Sequence, residues 1–234
     1  MQAILEPNDI EATERSEEVG VLLACEGGDF LEGDLARVEE AYEAGVRTIQ
    51  LVHYRVNELG DIQTEEPQHG GLTAFGGAVV AEMNRLGMLI DLAHAPWSVV
   101  SATLERSSAP VMVSHTHLAA GADAHPRLIS GEHARAVAEA GGVIGAWPSG
   151  VVLESFGEYL DEVVRMVALL GAQHVGIGTD MDGNYRPVMS RFEQYDDLET
   201  GLAECGLSDD DVDLVLGGSF VRLFERVVES ATED

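Results

Sequence analysis

One pattern restricts this chain more than any other: short apolar runs alternate with amphipathic stretches along most of its length. The runs fall at residues 19–24, 47–52, 88–93, 111–114, 142–146 and 174–178. Between them lie helix-period segments at 31–44, 72–86, 97–107, 130–140 and 153–170. Gly45, Gly87, Gly141 and Gly171 follow four of these segments, at the position where a left-handed residue closes a helix. Strands that alternate with helices specify a parallel sheet with right-handed crossovers, either open and doubly wound or closed into a barrel.

The polar residues decide between the two. Glu26, His53, His94, His115 and Asp180 each sit at the C-terminal end of a separate apolar run, or one or two positions beyond it. In a (β/α)8 barrel those ends converge on one mouth, whereas in an open sheet they are strung along an edge. The expectation is therefore an α/β TIM-barrel-type fold, a single domain over residues 1–234. Two strands are missing from that expectation, since six do not close an eight-stranded barrel. Helices at 197–205, 208–216 and 219–229 complete the chain, the second opened by Ser208 as N-cap with Asp209, Asp210 and Asp211 in its first turn. Residues 58–71, rich in Gly, Glu and Pro, read as a long loop able to cover the mouth.

Charge excludes whole classes of partner. Against 42 acidic residues stand 13 basic ones, all Arg, for a net charge of −29. Such a surface repels phosphate backbones and anionic lipid heads, so neither nucleic acid nor membrane is an expected partner. The acids are spread along the chain and not blocked into one tail, which favours a solvated coat suited to a salt-rich cytoplasm over a binding role for cations or basic partners. Cys25 and Cys205 form no CxxC pair, and the first residues carry neither a basic flank nor an apolar core. The expected location is cytoplasmic.

His94 and His115 leave successive buried strands, and with Glu26 they form an N/O donor set of the kind that holds Zn²⁺. A lone His at a strand end is more often structural; two, with a carboxylate at an earlier strand end, favour a metal. Gly27 and Gly28 let the backbone turn sharply beside Glu26. Asp180, in GIGTDMDG, is placed to act as a general base, with Asp182 orienting the loop. His53 is a candidate hydrogen-bond donor to a carbonyl oxygen. Arg127 either captures a substrate carboxylate or makes a surface ion pair, and the two readings weigh equally here. His69, His117, His125, His133 and His174 carry less weight. Trp147 is either packing or pocket wall, and Arg85, Arg165, Arg222 and Arg226 read as solvated helix faces.

The segments CEGGDFLEGDL, GLTAFGGAVVAEMNRLGMLIDLAH, VMVSHTHLAA, HPRLIS, VGIGTDMDG and LGGSFVRLFERV, in this order, resemble the membrane (renal) dipeptidase family, peptidase family M19, among the amidohydrolase-like barrels. The resemblance runs from Asp9 to Val228. It implies a zinc-dependent metallodipeptidase that hydrolyses dipeptides with a metal-activated water, in many members as a homodimer. By the same resemblance Glu26 is the carboxylate that bridges two zinc ions, and His94 and His115 complete the second zinc site. His53 contacts the scissile carbonyl, Arg127 holds the substrate's C-terminal carboxylate, and Asp180 shuttles the proton. Family members also carry an earlier strand ending in His-x-Asp, which supplies the remaining ligands of the first zinc; no His precedes Glu26 here. Residues 1–18 match the helix before the Glu-bearing strand, so by this resemblance the (β/α)8 barrel is incomplete at the N-terminus, which accounts for the six visible strands; Ser219 stands where many members have Asn. One zinc site is thus retained. Three readings stay open: a dipeptidase working with that site or recruiting an unfamiliar ligand such as Asp9, an impaired or inactive remnant that binds metal or peptide, and a fragment from a misassigned start.

Overall fold

The structure, a computed structural model, describes residues 1–16, 18–121 and 124–231. It divides into two compact units, Met1–Val111 with Val221–Asp234, and Met112–Phe220. Both are α/β, with parallel strands that, apart from β2 (Gly20–Val21), are each followed by helical structure.

The first unit opens with β1 (Gln2–Ala3), α1 (Pro7–Ser16) and β2 (Gly20–Val21), the two strands forming a small parallel pair. Asp9 Oδ2 accepts the backbone N–H groups of Leu5 and Glu6 at 2.8 and 2.9 Å, which ties down the entry to α1. Three parallel strands follow in chain order: β3 (Leu23–Glu26), β4 (Val46–Gln50) and β5 (Leu89–Asp91). α2 (Ala36–Glu43), α3 (Ala74–Leu86) and α4 (Trp97–Leu104) come after them. Strand β5 is wholly buried while Leu23, Ala24 and Glu26 of β3 are exposed, as fits a strand at a sheet edge. An irregular register between β3 and β4 leaves Arg47 in the step, with its side chain inside. Its guanidinium donates to the Leu5, Tyr42 and Val46 carbonyls and lies 4.0 Å from the Tyr42 ring centroid. A buried guanidinium so fully satisfied welds the N-terminal segment to β4.

The second unit repeats the plan with β6 (Met112–Thr116), β7 (Val143–Ala146) and β8 (Val175–Ile177), again parallel and in chain order. Its helices are α5 (Gly131–Glu139), α6 (Phe156–Leu170), α7 (Gln194–Glu204) and α8 (Asp209–Asp213). A π-type turn at Leu214–Gly218 leads into α9 (Ser219–Glu229), which passes from the second unit into the first. Ser219 is fully buried and donates to the Ala172 carbonyl at 2.9 Å, so its hydroxyl has a structural use.

Local sequence accounts for most boundaries. Thr73, Ser130, Ser155 and Ser208 are N-caps that accept the backbone N–H three residues on, each contributing about 1 kcal/mol. Gly45, Gly87, Gly141 and Gly171 all have positive φ, as the helix-stop reading expects. On α6 the buried residues Tyr159, Glu162, Val163 and Met166 follow the helical period, with an acid among them. On α5, His133 is buried and the loss of hydration pushes its pKa down to about 4.

Candidate metal and peptide site

In the first unit the site begins with Glu26, the last residue of β3. The chain must then turn away at once, and the space allows little. A Cβ on Gly27, whose φ is 99°, would lie 3.1 Å from His53 Cβ; one on Gly28 would lie 3.1 Å from the Leu51 carbonyl and closer still to Leu59. The Gly pair is thus required by close approach to the segment that carries His53.

His53 and His94 each stand three residues past their strands, slightly further out than the sequence reading places them. Both return to Glu26. His53 Nε2 is 3.3 Å and His94 Nε2 3.6 Å from Glu26 Oε1, and the two imidazoles meet edge to face with centroids 4.6 Å apart. Donor atoms about 2.0–2.1 Å from a tetrahedral zinc lie about 3.3 Å from one another. These spacings and the carboxylate–imidazole chemistry fit such an ion, and one donor atom from each of the three residues lies within 4.8 Å of the others. His53, read from sequence as a substrate contact, therefore also belongs to a possible metal group. Asp9 is committed to its two amides at the start of α1.

His94 holds a left-handed backbone, φ 66°, which costs a non-glycine residue about 1–2 kcal/mol. The loop at 58–71 helps to impose it. Asp61, 1% exposed, accepts the N–H groups of Gln68, His69 and Gly71 at 2.7–2.9 Å. Burial pushes the Asp61 pKa up, but the three amides outweigh it and hold the carboxyl below its usual range. So organised, the loop donates Gln63 N–H to the His94 carbonyl at 2.9 Å.

In the second unit His115 is the penultimate residue of β6, inside the strand and not beyond it. One extra residue on β6 between its pairings with Ile144 and Ala146 makes a bulge at Ser114–His115, a device that re-aims a side chain. The bulge drives the Ser114 carbonyl towards β7 and β8, where any Cβ at Gly145 or Gly178 would overlap it. His115 Nδ1 is 2.8 Å from Ser114 Oγ, and a His115 nitrogen and an Asp180 carboxylate oxygen lie within 4.8 Å of one another. Asp180, three residues past β8, is left-handed with φ 47°, and Asp182 with φ 70°.

Arg127 is buried, 7% exposed, with Cζ 5.3 Å from the Trp147 ring centroid. Its carbonyl accepts the Thr116 hydroxyl at 2.9 Å and its N–H donates to His125 Nδ1 at 3.3 Å. Burial on an aromatic face disfavours the surface ion-pair reading of this guanidinium. Trp147, 5% exposed, also lies 5.8 Å from the His115 ring and 6.0 Å from that of His117. It is the hub of the polar groups around β6 and β7.

Three residues passed over in the sequence belong to this frame. His117, read as having left the strand, is 1% exposed with Nδ1 3.7 Å from Glu162 Oε1. Burial pushes the Glu162 pKa up, yet His117, the Leu118 amide and Arg165 together bring it below the ordinary carboxylate value. Arg165 lies on an exposed face, as the sequence reads it, yet it also bonds Glu162 Oε2 at 2.7 Å and the Leu118 carbonyl at 2.6 Å. Arg85 likewise pairs with Glu82 and Glu39. The acid in the buried period of α6 was the available signal.

The family model described as "Membrane dipeptidase (Peptidase family M19)" matches residues 1–234, and this chain belongs to that family. Among curated relatives, dipeptidase aclJ of Aspergillus oryzae is 34% identical over 89% of this chain and 52% of its own. Dipeptidase 3 of Rattus norvegicus is 30% identical over 91% and 46% respectively. The chain spans about half the length of these relatives. An amidohydrolase from Pseudomonas aeruginosa superposes with a TM-score of 0.88 at 24% identity, over 97% of this chain and 78% of that one. So does a metallo peptidase from Rhodobacter sphaeroides liganded with a phosphinate mimic of the dipeptide L-Ala-D-Ala, at 0.88 and 22%, over 97% and 68%. These likenesses establish the fold, a TIM-barrel-like α/β arrangement, to which the described residues contribute the six strands β3–β8. Among the described residues no helix is long and apolar enough to cross a membrane.

Proposed function

We propose that this chain is a metal-dependent dipeptidase, with zinc as its metal and small dipeptides as its substrates. The convergence of Glu26, His53 and His94 carries the reading, supported by family membership. Glu26 and His94 would hold the metal, with His115 as the further ligand that the family motif assigns. When bound, a divalent ion polarises a carbonyl and acidifies water.

The remaining work falls to the protein. His53 Nε2, when it carries the proton, donates a hydrogen bond to the scissile carbonyl oxygen as negative charge gathers there. Asp180 accepts a proton at a carboxylate oxygen and returns it to the leaving amine. Arg127 pairs with the substrate's terminal carboxylate, and its burial against Trp147 makes that pairing stronger than it would be in water. The Gly27–Gly28 turn keeps side chains off the approach to Glu26.

The test pairs metal content with turnover, on protein kept in multimolar KCl. Wild type should carry metal and hydrolyse Gly-D-Ala, and Glu26→Gln should lose both. Undiminished metal in Glu26→Gln would refute the ligand assignment. Metal with no turnover in folded wild type would refute the dipeptidase and leave a metal- or peptide-binding protein.

A further inference from the structure

We infer that Glu162 and Arg165 of α6 are positioning residues for Arg127, acting through the peptide groups of Leu118. The inference rests on the reading of Arg127 as the carboxylate-binding group.

The two side chains grip both polar ends of one residue. Glu162 Oε1 accepts the Leu118 N–H at 2.8 Å, and Arg165 Nη2 donates to the Leu118 carbonyl at 2.6 Å. A third bond, Arg165 Nε to Glu162 Oε2 at 2.7 Å, locks the pair one helical turn apart. Glu162 is 7% exposed, so its bonds to Leu118 and Arg165 form away from competing water.

Leu118 is in turn fastened to the stretch that carries Arg127. Leu118 and Ile129 form a parallel bridge; Ile129 N–H donates to the His117 carbonyl at 3.0 Å, and Ala119 N–H to the Ile129 carbonyl at 2.8 Å. The Thr116 hydroxyl adds its bond to the Arg127 carbonyl. Residues 116–119 and 127–129 thus make a short ladder directly after β6, with Arg127 at its edge. It continues β6 on one side and runs into the N-cap of α5 on the other, and α6 adds the side-chain grip on Leu118. A guanidinium binds a carboxylate well only in a narrow geometry, and a loosened ladder lets Arg127 leave it.

The position of Arg165 separates positioning from folding. Its side chain is 46% exposed, so Arg165→Ala removes the grip on the Leu118 carbonyl without opening a core cavity. Two measurements on the full chain follow. In amide exchange, Arg165→Ala should speed the Ala119 and Ile129 amides about tenfold or more relative to the amides of β7, as expected for local opening of one ladder. In kinetics, kcat/KM for L-Ala-D-Ala should fall about fivefold through KM, while the C-terminal amide of the same dipeptide, which has no carboxylate, should be unaffected. Arg165→Lys, which restores one donor, should recover part of the loss. Unchanged exchange at Ala119 and Ile129, or an equal loss on both compounds, overturns the inference. If wild type turns over neither compound the dipeptidase reading fails, and exchange alone decides the clamp. If Arg127→Ala leaves the preference for the free carboxylate intact, the role of Arg127 fails separately.

Discussion

His133 should make this protein's stability depend on pH in a way that one substitution removes. The imidazole is buried on α5, 6% exposed, and burial pushes its pKa down to about 4 from a usual value near 6.5. Between those values the unfolded chain binds a proton there that the folded chain refuses. Stability is therefore complete above pH 6.5 and falls as pH drops towards 4. A separation of about 2.5 pH units corresponds to roughly 3 kcal/mol at the limit, and linkage places about 2 kcal/mol of that between pH 7 and pH 5. The wild-type curve alone does not isolate the effect, because protonating carboxylates on a chain of net charge −29 relieves self-repulsion over the same range. The measurement is therefore a difference. Urea unfolding of wild type and His133→Leu, at pH 7, 6 and 5 in constant high salt, should give curves that converge on acidification, with wild type losing about 2 kcal/mol more than the variant. Parallel curves would refute the reasoning, since they would mean that His133 titrates alike in both states.

Two further outcomes are expected. Gly145→Ala brings a Cβ onto the Ser114 carbonyl, and backbone cannot step aside as a flexible side chain can. It should cost about 2 kcal/mol or more, a fall in Tm of roughly 4–8 °C, whereas an equal substitution at exposed Gly121, where a Cβ meets nothing, should be nearly neutral. The acidic, Lys-free surface leads us to propose a salt-requiring fold: Tm should rise from low to multimolar KCl, and a flat or falling curve would refute it.

The alternation of apolar runs and helix-period segments made the α/β order legible, because periodicity reports which face of each element is buried and needs only local residues. Of the helix boundaries, Ser208 and the four closing glycines were readable for the same reason: caps and left-handed stops are satisfied by groups a few residues away. Glu26, His53 and His94 stood out as ionisable groups at the ends of apolar runs, and the structure brings these three together. His115 and Asp180 were read as metal ligand and general base from their places near strand ends, whereas for Arg127 the residues left two readings equal and only the resemblance to the M19 family chose carboxylate binding.

What tertiary structure decided lies between residues far apart in sequence. No local pattern shows that Asp61 folds a loop whose Gln63 amide reaches the His94 carbonyl, nor that a bulge in β6 needs Gly145 and Gly178 opposite it. Glu162 and Arg165 show the limit most plainly. The sequence marks one as an acid in an apolar stripe and the other as an ordinary surface arginine. Only folding brings them to Leu118, 44 and 47 residues away. Burial periodicity is a one-body property that a sequence carries on its face. Hydrogen bonding in a site is a pairwise property, and its partners are known only once the chain has closed on itself.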